Sequence, residues 1–415
     1  MTDGVTRPVV VVVGAGFGGL RAARRLARLP VRVILVDRHN YHLFQPLLYQ
    51  VATAGVEPDQ IAKPVRAILR GQKNLEFRLA DVTGVDLAGR RIETDRGPIA
   101  YDYLILAPGG QTNFFGRDAL ARAAFGLKDL DEAIAIRSQI LRAFERAATA
   151  DDREREALLT FAVAGGGPTG VEMAGALSEL IRLVLVKDHP GLDLARVRVL
   201  LLEAGPAILP AMPPSLGAAA VRTLQKKKVE VRVGAAVEDY DGGRIRLKGG
   251  ETIPARTLLW AAGVKAAGLA GALGAATGRQ GRVMVDETLR LPGHPEVFVI
   301  GDASYREAGG EPLPMMAPVA IQMGESAVAN IGRALRGKPA RPFRYRNPGS
   351  LATIGRNAAV AEIHGLRFKG FPAWVVWLVV HLIQLIGFRN KLVVLINWAW
   401  DYFFFERGPR LISGG

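Results

Sequence analysis

The sequence contains no cysteine in its 415 residues. This absence excludes disulfides, iron–sulfur clusters held by thiolates, and catalytic thiols. His42, His364 and His381 stand in no HxxH or HExxH pattern, so no metal site is expected. The chemistry of this chain should therefore use neither a thiol nor a metal.

A nucleic-acid reader is also lacking, although the chain is strongly basic. Its formal net charge of +15 suggests nucleic acid, an anionic membrane surface or acidic ligands as partners. No nucleic-acid-binding module is recognisable, so nucleic acid is not expected. Residues 341–415 hold ten Lys and Arg but three Asp and Glu, a surplus of +7 and about half the total. The N-terminus lacks the layout of a signal peptide, so the catalytic body is expected to be cytoplasmic.

A glycine-rich motif lies at residues 8–20, PVVVVVGAGFGGL. An apolar strand runs into Gly14, Gly16 and Gly19, and an alanine-rich helix follows. Such glycines permit a tight turn and close approach of a pyrophosphate to the helix N-terminus. The next strand, VRVILVD, ends in Asp37, which suits a ribose 2′-hydroxyl. A purely structural glycine turn is the alternative, but the combination favours a dinucleotide site.

The same pattern returns at residues 160–175, TFAVAGGGPTGVEMAG. Gly165, Gly167 and Gly170 again stand between a strand and a helix. The following strand, RVRVLLLEAG, places Glu203 at its end, where a carboxylate accepts hydrogen bonds from ribose hydroxyls and repels a 2′-phosphate. No arginine follows directly, so the sequence predicts NADH rather than NADPH.

A third motif indicates which dinucleotide the first loop binds. Residues 288–302, TLRLPGHPEVFVIGD, form an apolar strand ending in Asp302, whose carboxylate can bind the ribityl hydroxyls of FAD. A simple turn aspartate is the alternative. YDYLILAPGG at residues 101–110 is interpreted as the return crossing of the chain, with Ala107 and Gly109 near the cofactor. The first loop is therefore assigned to FAD and the second to NADH.

These motifs predict an α/β protein with two Rossmann-like dinucleotide-binding domains, an FAD domain interrupted by an inserted NADH domain, plus C-terminal amphipathic membrane-association helices. The predicted boundaries are residues 1–112 (FAD-binding, first part), 113–154 (connecting segment), 155–270 (NADH-binding), 271–336 (FAD-binding, second part) and 337–415 (membrane association).

The C-terminal region contains an uncharged stretch at residues 371–388, FPAWVVWLVVHLIQLIGF. As a helix it would be roughly 27 Å long, against a bilayer core of about 30 Å, so a transmembrane helix is one alternative. Five residues are predicted to share one face, with valine, leucine and isoleucine opposite: Trp374, Trp377, His381, Gln384 and Phe388. That pattern favours a helix lying in the membrane interface.

The following segment, residues 387–408, GFRNKLVVLINWAWDYFFFERG, has a narrow polar stripe of Asn390, Asn397 and Asp401. The two segments hold four of the five tryptophans, as expected of an interfacial belt. Basic residues flank both segments, which suits anionic headgroups. The preferred hypothesis is peripheral, monotopic binding to the cytoplasmic face of the cell membrane. Ordinary core or dimer-interface helices are the alternative, and the same region could also hold a homodimer together.

Taken together, the motifs resemble the two-dinucleotide-binding flavoprotein reductases, and more narrowly the type II NADH dehydrogenases, single-subunit NADH:quinone oxidoreductases. The stretches that carry the resemblance over essentially the whole chain are HNYHLFQPLLYQVATA at 39–54, GGGPTGVEMAG at 165–175, LLWAAGV at 258–264, APVAIQMGE at 317–325, NPGSLATIGRNAAVAEI at 347–363, and the C-terminal segment.

The resemblance implies an enzyme of the respiratory chain that passes a hydride from NADH to flavin N5 and then two electrons to a membrane quinone, without pumping protons. Disulfide reductases and sulfide:quinone reductases share the architecture but need redox thiols, so neither fits a chain without cysteine. Two alternatives remain at this point. One is a soluble NADH:ferredoxin-type reductase with an acidic partner, and the other is a flavoprotein whose main role is binding.

Two residues are implied as catalytic by the resemblance. Glu172 resembles a family glutamate near the nicotinamide and acceptor sites, although a first-turn acid favoured by the helix dipole is an equal alternative. Gln322 matches the second of two family glutamines that face flavin and quinone, and an ordinary surface-helix glutamine is the alternative. The first of these glutamines is replaced by Pro318, which puts head-group geometry and quinone preference in doubt.

Other residues are assigned to the cofactor sites from the two loops and the resemblance. Phe44, Pro46, Leu47 and Thr53 are expected by resemblance to line the flavin cavity. The full predicted cofactor-binding set is Gly14, Gly16, Phe17, Gly18, Gly19, Asp37, Arg38, Pro46, Val82, Ala107, Gly109, Asp302 and Val319 for FAD, and Gly165, Gly167, Pro168, Thr169, Gly170, Glu203 and Gly263 for NADH.

Overall fold

The computed structural model describes residues 7–404, 408 and 410–412. The predictions for residues 1–6, 405–407, 409 and 413–415 lie outside this part of the chain. Two compact units are present, each built from three separate stretches of chain. The first unit comprises Met1–Leu43, Lys63–Gln111 and Val264–Asn347, and the second Phe44–Ala62, Thr112–Gly263 and Pro348–Gly415.

A six-stranded sheet forms the centre of the first unit. Its order is Arg290–Leu291, His294–Val299, Tyr103–Leu106, Val9–Val13, Arg32–Asp37 and Leu75–Leu79. All neighbouring pairs are parallel except the first. The valine run at Val9–Val13 takes a central position because β-branched side chains favour extended backbone and a parallel sheet is buried on both faces. Carboxyl ends of parallel strands meet at one edge, which is where doubly wound sheets bind ligands.

The remaining elements of the first unit surround this sheet or join its strands. The helices are Phe17–Leu26, Val65–Ile68 and Ala317–Ala334, with 3-10 turns at Gly268–Leu273, Arg279–Gly281 and Gly301–Ala303. The further strands are Tyr41–Leu43, Ala62–Pro64, Val82–Asp86, Arg91–Thr94, Ile99–Ala100, Gly110–Thr112, Val264–Ala266, Val283–Met284, Ser304–Tyr305, Glu307–Ala308 and Glu311–Pro312. Two of them, Ala62–Pro64 and Gly110–Thr112, each include one residue of the second unit.

The second unit is built on a five-stranded sheet with all pairs parallel. Its order is Phe125–Gly126, Thr257–Trp260, Thr160–Ala164, Arg198–Leu202 and Val229–Arg232. The central strand, Thr160–Ala164, is buried along its whole length. This sheet repeats the Rossmann pattern of the first unit, so the predicted α/β fold with two Rossmann-like sheets is confirmed.

Helices and two small antiparallel sheets complete the second unit. The helices are Leu48–Ala52, Pro58–Ile61, Asp118–Ala123, Leu130–Thr149, Asp152–Leu158, Pro168–Glu179, Val186–Asp188, Pro214–Lys226, Phe371–Gln384 and Phe388–Phe404, with a π turn at Leu180–Leu185 and 3-10 turns at Gln45–Leu47 and Leu194–Arg196. The two antiparallel sheets are Val237–Tyr240, Arg244–Leu247 and Thr252–Pro254, and Ser350–Thr353, Ala359–Ile363 and Leu366–Gly370.

Phe371–Gln384 and Phe388–Phe404 are called the first and second C-terminal helix below. The uncharged stretch 371–388 is not one helix, because the first helix ends at Gln384 and Gly387 adopts a left-handed φ of +88°. Within residues 7–404, 408 and 410–412, no helix has both the length and the apolarity of a membrane span.

The two faces of the first C-terminal helix have very different exposure. Trp377 is 1% exposed, whereas Val379 is 49% and Ile383 66% exposed. In the second helix Asn390 is buried and donates to the Gln60 carbonyl oxygen at 2.7 Å. The expectation that all four tryptophans form an interfacial belt is therefore wrong for Trp377, because its ring packs into the protein. The side turned outward is the aliphatic one.

Candidate functional site

The first glycine loop has the local geometry that a dinucleotide site requires. Gly14 has a φ of +96°, and a side chain there would collide with the carbonyl oxygen of Ala107. A side chain at Gly19 would collide with the Gly14 carbonyl oxygen, so this position lets the helix pack on the strand. By contrast, the space around the missing side chain of Gly16 is open to 4 Å. Gly16 is thus the position where a phosphate can approach the helix N-terminus.

Asp37 braces this loop from the neighbouring strand. Its Oδ2 accepts a hydrogen bond from the Ala15 N–H at 2.6 Å, and its Oδ1 accepts one from the His39 N–H at 2.7 Å. The His42 Nδ1 lies 2.8 Å from the Ala15 carbonyl oxygen, so both backbone groups of Ala15 are bound. Burial lowers the pKa of His42, which keeps the ring neutral at pH 7.

Several other predicted FAD residues come together at the same sheet edge. Gly14, Asp37, Ala107 and the Gly301–Asp302 pair lie at the ends of four neighbouring parallel strands. A side chain at Gly110 would meet the Asp302 Oδ2 at 3.0 Å, so that glycine leaves room for the carboxylate. Gly109 has a φ of +75°.

The remaining predicted FAD residues of the first unit belong to two helix starts and two strands. Phe17 begins the first loop's helix and meets the His42 ring edge-on at 5.2 Å. A side chain at Gly18 would meet the Ala320 carbonyl oxygen at 3.0 Å, so the helix Ala317–Ala334 packs directly on the loop. Val319 is buried in the first turn of that helix, Val82 is half-buried at a strand start, and Arg38 is exposed.

Gln322 lies in the helix Ala317–Ala334 and is half-buried. Its Nε2 donates to the Arg346 carbonyl oxygen at 2.8 Å, and its Oε1 accepts from the Arg346 N–H at 3.0 Å. Both ends of the amide are thus already used to hold a later stretch of backbone. Pro318 stands in the first turn of the helix, where the missing N–H costs no intrahelical hydrogen bond.

The second glycine loop repeats the first position by position. Gly165 has a φ of +109°, and a side chain there would meet the Ala261 carbonyl carbon at 2.6 Å. A side chain at Gly170 would collide with the Gly165 carbonyl oxygen, whereas Gly167 faces open space. Pro168 occupies the first helical turn and Thr169 is exposed beside it.

Glu203 accepts a hydrogen bond from the backbone of the second loop, as Asp37 does from the backbone of the first. Its Oε2 accepts from the Gly166 N–H at 2.5 Å and its Oε1 accepts from the Gly205 N–H at 2.6 Å. Gly263 lies just beyond the neighbouring strand, and its carbonyl oxygen accepts from the Asn113 N–H at 3.0 Å. The predicted NADH residues are therefore gathered at one sheet edge of the second unit.

Glu172 lies in the helix that follows the second loop and is buried. Its Oε1 receives two hydrogen bonds, from the Thr353 N–H and from the Trp377 Nε1, both at 3.3 Å. Burial, with no positively charged partner among the described residues, raises the pKa of Glu172 to about 8, although both hydrogen bonds lower it. The group is therefore mostly protonated at pH 7. The alternative of a first-turn acid is wrong, because the first turn of the helix Pro168–Glu179 contains no acidic residue.

Trp377 and Thr353 are functional candidates that sequence reasoning missed. The Trp377 ring stacks on His381 with centroids 4.1 Å apart, and the His381 Nδ1 lies 2.7 Å from the Trp377 carbonyl oxygen. His381 also meets Phe44 edge-on at 6.3 Å. A tryptophan and a histidine one turn apart, in a helix rich in aliphatic residues, are the signal in the sequence that could have indicated a buried contact.

A cavity of about 550 Å³ lies next to this cluster in the second unit. Its walls come from helix Leu48–Ala52, the helix after the second loop, and both C-terminal helices. Thr353 and Trp377, the two residues that hold Glu172, belong to its lining together with Thr53, Leu378 and Trp398. A largely apolar cavity with a few polar groups of this size suits a small organic ligand.

The segment that was predicted to line the flavin cavity also contributes Thr53 to the lining of the cavity in the second unit. Phe44 and Leu47 are buried, and Pro46 is half-buried in a 3-10 turn. The Thr53 hydroxyl donates to the Tyr49 carbonyl oxygen at 2.9 Å.

Comparison with known proteins agrees with these features. Residues 8–324 match the family of pyridine nucleotide-disulphide oxidoreductases, and residues 348–407 match the NDH2 C-terminal domain. The chain is 42% identical to the type II NADH:quinone oxidoreductase Ndh of Mycobacterium tuberculosis, over 97% of this chain and 90% of that protein. It is also 42% identical to NdhA of the same organism, over 97% and 89%.

Among solved structures, NDH2 from Plasmodium falciparum in complex with NADH superposes with a TM-score of 0.89 at 19% identity, over 98% of this chain and 100% of that one. That likeness shows a shared fold, while the relatives at 42% identity show the family. With two braced glycine loops, a C-terminal helix pair and these matches, the chain belongs to the family of type II NADH:quinone oxidoreductases.

Proposed function

We propose that this protein is a non-proton-pumping NADH:quinone oxidoreductase that works at a membrane surface. The net reaction is NADH plus quinone plus one proton giving NAD⁺ and quinol, so one proton comes from outside the nucleotide. The observation that carries this proposal is the cavity whose lining includes both hydrogen-bond partners of the buried Glu172.

The residues of the two loops fit the dinucleotides that the family uses. Gly16 and Gly167 leave open space at helix N-termini, and Asp37 and Glu203 place carboxylates where ribose hydroxyls would bind. When bound, FAD supplies the hydride acceptor and the two-electron relay between NADH and quinone. Asp302 would bind ribityl hydroxyls of FAD from its strand end.

Glu172 holds a proton at the pH at which the enzyme works. With a pKa of about 8, about nine-tenths of the molecules carry the proton at pH 7. An acid in this range suits proton donation, because the best donor has a pKa near the working pH. Glu172 would supply the proton that the quinone needs in addition to the hydride.

The quinone would occupy the cavity of the second unit. Its aromatic and aliphatic walls suit a ring with an isoprenoid tail, while Thr53 and Thr353 offer polar contacts. Gln322 was predicted to contact the quinone. Its amide already pairs with the Arg346 backbone, so we assign it the holding of that backbone rather than proton chemistry.

The outward faces of the C-terminal helices would lie on the lipid. Their exposed side chains include Ile383, Phe388, Ile396 and Trp400, between 52% and 78% exposed. Exposed apolar area of this kind indicates an interaction surface. The basic surplus of the region adds attraction to anionic headgroups. Two points stay predictions: that the protein binds the cytoplasmic face of the membrane, and that it forms a homodimer through part of this surface.

The proposal is tested with purified holoprotein. NADH should bleach the flavin absorbance, and a short-chain quinone should restore it with continuous turnover. Ferredoxin serves as the competing acceptor. Bleaching by NADH followed by turnover with ferredoxin but with no quinone would replace this proposal by the soluble reductase.

Nucleotide choice is expected to depend on Glu203. The double substitution Glu203→Gln and Ala204→Arg removes the charge that repels a 2′-phosphate and adds one that attracts it. The ratio of kcat/KM for NADPH to that for NADH should rise about 10- to 100-fold, since one or two such contacts change binding by a few kcal/mol. Glu238→Gln, an exposed acid of the same unit, is the control. An unchanged ratio would contradict the ribose assignment.

A further inference from the structure

Trp377 links the outward-facing helix to the buried acid. The side chain is 1% exposed, whereas Ile383 on the same helix is 66% exposed. Its Nε1 reaches Glu172 across a sequence separation of 205 residues. The helix that would lie on the membrane therefore also provides a direct hydrogen bond to the candidate proton donor.

Glu172 has two hydrogen-bond partners among the described residues, and they differ in kind. The Thr353 N–H belongs to the backbone of a strand, which pairs along its length with Ala359–Ile363. The Trp377 N–H belongs to a side chain. The first C-terminal helix itself supplies the second of these partners.

We propose that Trp377 is a positioning residue for Glu172: its indole N–H orients the carboxyl group beside the cavity and stabilises the ionised form. The first C-terminal helix would thus act on proton delivery as well as on attachment. This inference rests on the proposed quinone reduction, in which Glu172 supplies the proton.

The other titratable groups around Glu172 do not explain the same pH response. Tyr49 lies on helix Leu48–Ala52, and Glu179 on the helix of Glu172 itself pairs with Lys227 at 2.6 Å. On the first C-terminal helix, burial lowers the pKa of His381 to about 4, so the ring is neutral between pH 6 and 9. Arg356, beside the strand Ser350–Thr353, lies over the Tyr402 ring at 3.8 Å. Among the described residues none of these side chains bonds to Glu172.

The test is the variant Trp377→Phe, which keeps an aromatic ring and removes the N–H. Loss of a donor to a carboxylate favours the protonated form, so the alkaline limb of kcat/KM for quinone should move upward by roughly half a unit to one pH unit. Reduction of the flavin by NADH, measured by stopped flow, should keep its rate. An unmoved alkaline limb would overturn the inference.

Two further variants establish that the effect passes through Glu172. In a Glu172→Gln background the alkaline limb should be absent with or without Trp377→Phe, and an alkaline limb there that moves with Trp377→Phe would overturn the inference. Trp400→Phe is the matched control, because Trp400 lies on the second C-terminal helix but does not line the cavity. Its alkaline limb should stay at the position found in the unmodified protein.

A measurement that needs no quinone turnover distinguishes a failure of this inference from a failure of the proposed function. The infrared band of the protonated Glu172 carboxyl, identified by its loss in Glu172→Gln, should titrate at higher pH in Trp377→Phe whether or not quinone is reduced. If Trp377→Phe does not fold, the benzothienylalanine analogue at position 377 replaces the N–H by sulfur at nearly the same shape. A carboxyl band that titrates at the same pH in either form would overturn the inference.

Discussion

Replacing Glu172 by glutamine is expected to lower NADH:quinone turnover by about 100-fold or more, because general acids typically contribute that factor and upward. Glutamine has nearly the same size and can still accept the hydrogen bonds from Thr353 and Trp377. It has no proton to give. The alkaline limb of the pH profile should disappear at the same time, because burial raises the pKa of Glu172 to about 8 and the active form is the one present below that pH.

The measurement compares steady-state quinone reduction with single-turnover reduction of the flavin by NADH. The rate of flavin reduction by NADH should be unchanged, because hydride transfer needs no proton from Glu172. Glu132→Gln is the control, because burial also raises the pKa of that carboxyl while it caps the helix Leu130–Thr149 elsewhere. Full quinone turnover in Glu172→Gln would remove this residue from the mechanism.

The second large effect is expected from Ile383→Asp combined with Ile396→Asp. These side chains are 66% and 62% exposed, on the first and second C-terminal helix, and neither lines the cavity. Burying one isoleucine in an apolar phase contributes about 1.5–3 kcal/mol. Losing two should therefore weaken binding to vesicles by at least about 100-fold.

Sedimentation with vesicles of phosphatidylcholine and phosphatidylglycerol measures this binding. Val233→Asp is the matched control, since Val233 is 48% exposed but follows the strand Val229–Arg232 and belongs to neither C-terminal helix. Turnover with a water-soluble quinone should be kept in the double variant. Vesicle binding at the level of the control would mean that these faces meet something other than lipid, with a second copy of the chain as the first candidate.

The glycine loops could be predicted from sequence because their constraints are local. Each first glycine needs a left-handed backbone, and each third glycine needs close helix packing. At Gly19 the neighbour is the Gly14 carbonyl oxygen, a few residues away, whereas the Ala107 carbonyl oxygen that leaves no room for a side chain at Gly14 follows a distant strand. The acids at the following strand ends have a fixed spacing for the same reason. What the sequence did not reveal is that Asp37 and Glu203 already bind backbone N–H groups of the loops.

The roles of the C-terminal helices were harder to predict because they depend on distant partners. A tryptophan in an apolar helix fits a lipid interface equally well as a buried contact. Only the position of Glu172, 205 residues earlier, decides that Trp377 turns inward. Asn390 looks like part of a polar outer stripe until Gln60 supplies a buried carbonyl. Gln322 likewise pairs with Arg346, a tertiary contact that no local pattern encodes.

The packing of one helix has a consequence for how long each nucleotide stays. The helix Ala317–Ala334 crosses Phe17–Leu26 so closely that neither Gly18 nor Gly324 has room for a side chain. At the second loop the comparable close contact, Gly175 against the Ile354 carbonyl, lies farther along the helix.

This packing fixes the glycines at the start of the first loop's helix, whereas the close contact at the second loop fixes a later turn of its helix. We therefore expect slow dissociation at the first loop and rapid exchange at the second. Such a difference in residence time suits an enzyme that keeps its flavin through many cycles and releases a spent nucleotide in every one.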